Sequence, residues 1–150
     1  MNHETPPFDL YGFQRKAMPV LLAWSAVSIL SGAFLALSAE KRRKGIGSQF
    51  VGWGVINGLI AGFGWRGAQK KQLARMNGEV SDADQAKEAS TFEKLLWINA
   101  GLDVGYVLGG AWLKRRNPHD DFKVGMGLGV IIQGAFLLIW DLTLGLLVRR

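Results

Sequence analysis

The chain has 150 residues, 49% of them hydrophobic, with a formal net charge of +6 and no cysteine. One domain's length of chain without cysteine excludes a disulfide framework, a thiolate metal site and a cysteine nucleophile. A basic chain raises nucleic acid as a partner, but the lysines and arginines cluster at the ends of apolar runs, where anionic lipid headgroups attract them. Membrane lipid, not nucleic acid, is the expected partner.

Residues 1–16 carry Pro6-Pro7 and then Phe8, Leu10, Tyr11 and Phe13 among polar side chains, which predicts an interfacial segment lying on a membrane surface. Charges are then absent from Ala17 to Ala39 and again from Gly45 to Trp65. Each stretch is as long as the roughly 20 residues needed to cross a bilayer core of about 30 Å. The first run is as long as a full span and is followed by Glu40-Lys41-Arg42-Arg43-Lys44, so it is expected to be retained and not cleaved as a signal peptide. That short basic segment makes the tip of an antiparallel hairpin.

Residues 66–94 form the one sizeable polar segment, with a turn at Asn77-Gly78 between charged helical stretches. Ser90-Thr-Phe-Glu93 fits a capping box just ahead of Leu95 and predicts that the third helix starts there; the alternative is one continuous helix capped by Ser81. The stretch from Leu95 to Leu113 is interrupted only by Asp103, and that from Val124 to Val148 only by Asp141. Both read as spans, joined through residues 114–123 with Asn117-Pro118 as the helix-stopping turn.

The expected fold is therefore all-α: a polytopic membrane protein of four transmembrane helices, arranged as two tandem antiparallel hairpins in one domain over residues 17–150. Ser31-Gly-Ala-Phe-Leu35 matches Gly109-Gly-Ala-Trp-Leu113, and Gly54-Val-Ile-Asn-Gly58 resembles Val130-Ile-Ile-Gln-Gly134. These matches predict an internal duplication with its axis along the membrane normal. They align Asp103 with Ser25, Asp141 with Trp65 and Gln133 with Asn57. The density of Lys and Arg favours the tips 40–44 and 114–123 as cytoplasmic and the termini as outside, although Arg66, Lys70, Lys71 and Arg75 argue the other way.

In lipid, helices associate through close packing at small residues and through polar contacts. Gly54, Gly58 and Gly62 recur every four residues on the second span, and Gly101, Gly105 and Gly109 on the third. Each ladder predicts a helix-packing stripe, with Ser28, Gly32 and Ala36 as a shorter version on the first span and Gly125 with Gly129 on the fourth. Trp65, Trp97 and Trp112 fall where an aromatic belt is expected, and Trp24, Trp53 and Trp140 fall deeper.

Helical rise puts Asn57, Asp103 and Asp141 at a depth of roughly 10 to 12 Å from the termini-side end, and Asn99, one turn from Asp103 on the same face, at about 6 Å. An acid inside a membrane is costly and is a functional candidate by default, yet protonation and hydrogen bonding can also make it structural glue. No basic residue lies within any span. The candidate intramembrane polar site is therefore Asn57, Asn99, Asp103 and Asp141, with Gln133 ranked below them. His3-Glu4 and His119-Asp120-Asp121 fall on opposite sides of the expected membrane, so no metal site is expected. No phosphate-binding loop, metal-binding His-Glu-x-x-His helix or nucleophile elbow is present, and an enzyme is disfavoured.

The motifs Phe13-Gln-Arg-Lys, Asn57-Gly-Leu-Ile-Ala-Gly, Asn99-Ala-Gly-Leu-Asp103-Val-Gly-Tyr and Gln133-Gly-Ala-Phe-Leu-Leu with Asp141 resemble a family of small, uncharacterised bacterial four-helix integral membrane proteins. The resemblance implies that fold, a bacterial inner membrane, and Asn57, Asn99, Asp103, Gln133 and Asp141 as recurring polar positions; it implies no activity. The expected role is non-enzymatic: an accessory or assembly protein, or a binder of lipid or a hydrophobic cofactor, working as a homo-oligomer or within a larger membrane complex. The alternative is a small proton- or cation-coupled transporter or channel using Asp103 and Asp141.

Overall fold

The computed structural model describes residues 8–148; residues 1–7, with His3, Glu4 and Pro6-Pro7, and residues 149–150 lie outside the described residues. Four helices follow in order: α1 (Leu10–Ala36), α2 (Lys41–Met76), α3 (Asp82–Arg116) and α4 (Asp121–Val148). Three of them, α1, α2 and α4, are long and apolar enough to cross a membrane. The span expected at 95–113 falls on α3, which does not join them: Asn99, Asp103, Tyr106 and four glycines dilute its apolar half.

Local chemistry sets the helix ends. The Asp9 side chain accepts from the Gly12 backbone N–H at 3.1 Å and opens α1 well before the apolar run begins. Residues 10–16, expected as a separate surface segment, are therefore the first turns of α1. Ser81 accepts from Asp84 N–H at 3.1 Å and opens α3, so the continuous helix holds and the capping box at Ser90 is not used as a start. Asp82 and Asp84 in its first turn, and Lys114, Arg115 and Arg116 in its last, match the helix dipole. Gly78 takes φ 77° in the turn between α2 and α3, a conformation that favours glycine. Beyond α3, Asn117 donates to the Leu113 carbonyl at 3.0 Å, and Pro118 follows.

The bundle buries polar and small residues beside two apolar clusters and turns many large apolar side chains outward. Ser25, Ser28, Asn57, Asp103, Gln133 and Asp141 are buried, while Leu30, Phe34, Phe63 and Trp112 are exposed. Helix α1 packs along α2, α3 along α4, and α2 against α4 through the middle. At the tip end these contacts are backbone on backbone. A Cβ on Gly47 would come within 2.5 Å of the Gly32 carbonyl oxygen, and one on Gly127 within 2.5 Å of the Gly110 oxygen. Between the hairpins, a Cβ on Gly45 would run into the Phe122 carbonyl and one on Gly125 into the Arg42 carbonyl. An ion pair between Arg42 and Asp121 at 2.9 Å ties the two tips.

The same contacts recur in both hairpins. Gly32 on Gly47 corresponds to Gly110 on Gly127, and Gly54 against Ser25 and Ile29 corresponds to Gly134 against Asp103 and Val107. The register is 78 residues for the first helices (Gly32 to Gly110) and 80 for the second (Gly54 to Gly134). The sequence matches had put the second helices four residues out of this register. Structurally, Asp103 does stand opposite Ser25, but Asp141 corresponds to Ala61 and Gln133 to Trp53.

The glycine ladders divide accordingly. Gly54 and Gly58 meet α1, but Gly62 has no neighbour within 4 Å, and neither do Gly101, Gly105 and Gly109. The α3 ladder faces outward, and the packing glycine of that helix is Gly110. Ser28 and Gly32 are buried on α1 whereas Ala36 is exposed, and Gly125 and Gly129 are both buried on α4.

At the termini end the helices extend past the apolar stretches. Arg75 near the end of α2 bonds Gln85 at 2.9 Å and Asp82 at 3.0 Å, with Asp9 at 3.4 Å, and Gln85 donates to the Phe8 carbonyl at 2.9 Å. Leu10 and Tyr11 are thereby fully buried against the polar ends of α2 and α3. Burial, and then the Glu88 carboxylate beside it, pushes the Tyr11 phenol up to about 12.

Candidate functional site

Away from the tips, contact between α2 and α4 passes from backbone glycines to side chains, with Ala61 and Leu137 in one apolar cluster with Met18 and Leu21. Two clefts result, one on each side of the α2–α4 pair, at corresponding positions in the contact register that the hairpins share. The cleft between α1 and α4 is filled. Trp24 stacks on Phe136 with ring centroids 3.9 Å apart, and Phe136 lies parallel to Trp140. The Trp24 indole donates to Gln133 Oε1 at 3.0 Å, and Gln133 Nε2 donates to Ser28 Oγ at 3.0 Å. Gln133, fully buried, thus has both ends of its amide occupied and takes no part in the cleft opposite.

The second cleft, between α2 and α3 over α4, is open. It is a groove of about 210 Å³ with apolar walls that include Ile56 and Ile60 on α2 and Leu102 on α3. Trp53 and Tyr106 meet edge to face across it at 4.8 Å, and Trp140 lines it from α4. In that shared register, Leu102 stands where the filled cleft has Trp24, and Ile56 where it has Phe136. Trp53 and Tyr106 in turn take the places of Gln133 and Ser28, so each cleft has its own ring pair, and in the open one an aliphatic pair borders the space.

The polar residues singled out from the sequence converge on this groove, except Gln133. Asn57, Asn99, Asp103 and Asp141 line it together, supplied by three helices. Asn57 and Asp103 are each 3% exposed and Asp141 8%, while Asn99 sits at the open rim. Asp103 and Asp141 thus bring two carboxyls to the same groove, one from α3 and one from α4. Asn57 Nδ2 and Asp103 Oδ2 are buried with no hydrogen-bond partner among the described residues. A buried polar atom left unmatched costs about 1–3 kcal/mol, so a cluster of them marks a site that a ligand can complete.

Sequence reasoning reached these residues from depth and helix spacing and placed Trp53 and Trp140 deep, leaving lipid, core and a cofactor cavity open for them; it missed Tyr106, whose approach to Trp53 depends on the register of α2 against α3. Among the described residues no group of His, Asp or Glu has the grouping to hold a metal ion. No curated protein and no solved structure matches the chain. The model of a family of unknown function, DUF6992, matches residues 20–142, and the chain belongs to that family.

Proposed function

We propose that the chain is a non-enzymatic bundle of four membrane-crossing helices in a bacterial cytoplasmic membrane, built from a duplicated hairpin, with its tips cytoplasmic and its termini outside. Its role is accessory: it holds the polar head of a lipid or hydrophobic cofactor in the α2/α3 groove. The observation that carries this reading is the pair of buried, partnerless atoms, Asn57 Nδ2 and Asp103 Oδ2, at the bottom of an apolar groove. A bilayer component brings the matching shape, an apolar body with one polar group.

Support for a fourth crossing comes from α3 itself. From Leu95 to Leu113 its one charged residue is Asp103, which points inward, while Ile98, Leu108 and Trp112 face out. A helix with its acid inside and its large apolar side chains outside suits lipid. Duplication is supported by the contact register shared between the hairpins.

A second reading, a proton- or cation-coupled transporter, is favoured by the two carboxyls, Asp103 and Asp141, that line one groove. Against it stand the glycine contacts at the tip end, where the backbones of α2 and α4 pack directly on one another. Absorption spectroscopy and native mass spectrometry of the protein in mild detergent test the first reading. One retained amphiphile or chromophore per chain is the expected result; a ligand-free protein would count against it. Flux in proteoliposomes that is lost in Asp103→Asn and Asp141→Asn would move the assignment to transport.

A further inference from the structure

We infer that the α2/α3 groove selects a cationic head, an amine or quaternary ammonium on an apolar body, which takes the place of protons on the Asp103–Asp141 carboxyl pair. This rests on the groove being a ligand site at all, as proposed above, and goes further in naming the chemistry it takes.

The charge balance of the groove leads there. Helices α1 and α2 present no ionisable group to it, α3 presents Asp103 and Tyr106, and α4 presents Asp141. Neither carboxyl has a lysine, arginine or histidine at its own depth, because no basic residue lies within residues 17–39, 45–65, 95–113 or 124–148. Two carboxyls so placed are satisfied by protons or by a cation that arrives with the ligand. The remaining donors and acceptors agree. Rotation of the Asn57 amide turns its NH₂ toward a carboxylate, which it can anchor by donating, or its carbonyl toward the groove, where it can accept from a protonated amine and lay its dipole against a quaternary one. Trp53, Tyr106 and Trp140 add the aromatic rings that attract a cation in a desolvated site.

Comparison with the filled cleft shows that these features are not a by-product of bundle packing. The place of Asp103 is held there by Ser25, whose hydroxyl donates to the Gly54 carbonyl, and the place of Asp141 by Ala61. Both carboxyls and the open volume occur together, on one side only. A lone acidic cluster could be solvated surface, but these acids are more than nine-tenths buried, and with them is an amide nitrogen that has no partner.

The experiment uses the full chain in neutral-detergent micelles and two probes of the same shape. Benzyltrimethylammonium and neopentylbenzene differ only in a charged nitrogen replacing a carbon, and tryptophan fluorescence reports entry beside Trp53 and Trp140. Concentrations are taken as those within the micelle. The cation is expected to bind at least tenfold more tightly than its neutral isostere at pH 8 and to lose at least tenfold in affinity by pH 5, with the neutral probe unchanged. Asp103→Asn with Asp141→Asn is expected to abolish the difference between the probes. The pH series on the unaltered chain keeps the test decisive should the double variant fail to fold.

Equal binding of the two probes overturns the cationic inference and leaves the amphiphile reading standing. A cation affinity that ignores both pH and the aspartate substitutions overturns it as well. If neither probe binds while an amphiphile co-purifies, the cationic inference alone falls; if neither binds and nothing co-purifies, both readings fall.

Discussion

Adding one methyl group at each of two kinds of glycine separates the inside of this bundle from its outside. At Gly125 the new Cβ would collide with the Arg42 carbonyl, and the reciprocal change at Gly45 would collide with the Phe122 carbonyl. Both obstacles are helix backbone, which cannot rotate away as a side chain does, so α2 and α4 must separate. Overpacking of this kind costs about 1–3 kcal/mol, and rigid neighbours put it near the top of that range. Alanine's better helix propensity offsets about 1 kcal/mol of this, leaving a net loss of about 2 kcal/mol for Gly125→Ala. Gly105, by contrast, has nothing within 4 Å of the added atom. There only the propensity term remains, and Gly105→Ala should gain about 0.5–1 kcal/mol. Unfolding in mixed micelles, followed by circular dichroism, measures both. A Gly105→Ala loss as large as that of Gly125→Ala would refute the outward placement of the α3 ladder.

Two further outcomes follow from contacts elsewhere. Gln133→Leu strands the Trp24 indole N–H and leaves Ser28 without its donor, and should destabilise the bundle by about 1–3 kcal/mol in the same unfolding assay; an unaltered midpoint would mean that the filled cleft is not held by this network. Tyr11 should titrate near 12 by tyrosinate absorbance, well above its ordinary value of 10.0. Because the unfolded chain ionises first, stability of the termini end should fall as pH rises through about 10 and level off above about 12. Tyr11→Phe should remove that alkaline fall, and its persistence in the variant would assign it to another group.

Helix number, the hairpin tips and the Asn77-Gly78 turn were legible because each follows from a local signal: a charge-free run, a basic tip, a residue pair suited to tight turns. The convergence of Asn57, Asn99, Asp103 and Asp141 was legible from rise per residue, since depth in a straight helix is a one-dimensional quantity. Rotation about the helix axis was not. Gly101, Gly105 and Gly109 have the spacing of a packing stripe, but spacing fixes only that they share a face, and that face turned out to point away from α4. Gly110, one residue on, carries the contact with Gly127. The four-residue error in aligning the second helices has a similar source, because one turn of helix preserves every periodicity and only the crossing points at Gly45 and Gly125 decide between registers. Ser81 won over Ser90 as the cap of α3 because the polar ends of α2 and α3 pack against Tyr11 and Leu10, which keeps residues 82–94 helical without any need for a restart.

Copying the filled cleft into the open groove decides whether that groove is a binding site. Leu102→Trp with Ile56→Phe copies the Trp24–Phe136 filling into the positions of the α2/α3 groove that correspond in the shared contact register. Native mass spectrometry of this variant beside the unaltered chain, both taken from the same membranes, reads occupancy directly. Loss of the co-purifying amphiphile with the helical content and unfolding midpoint preserved is the expected result; a filled groove that still carries the same ligand at the same occupancy would contradict the account.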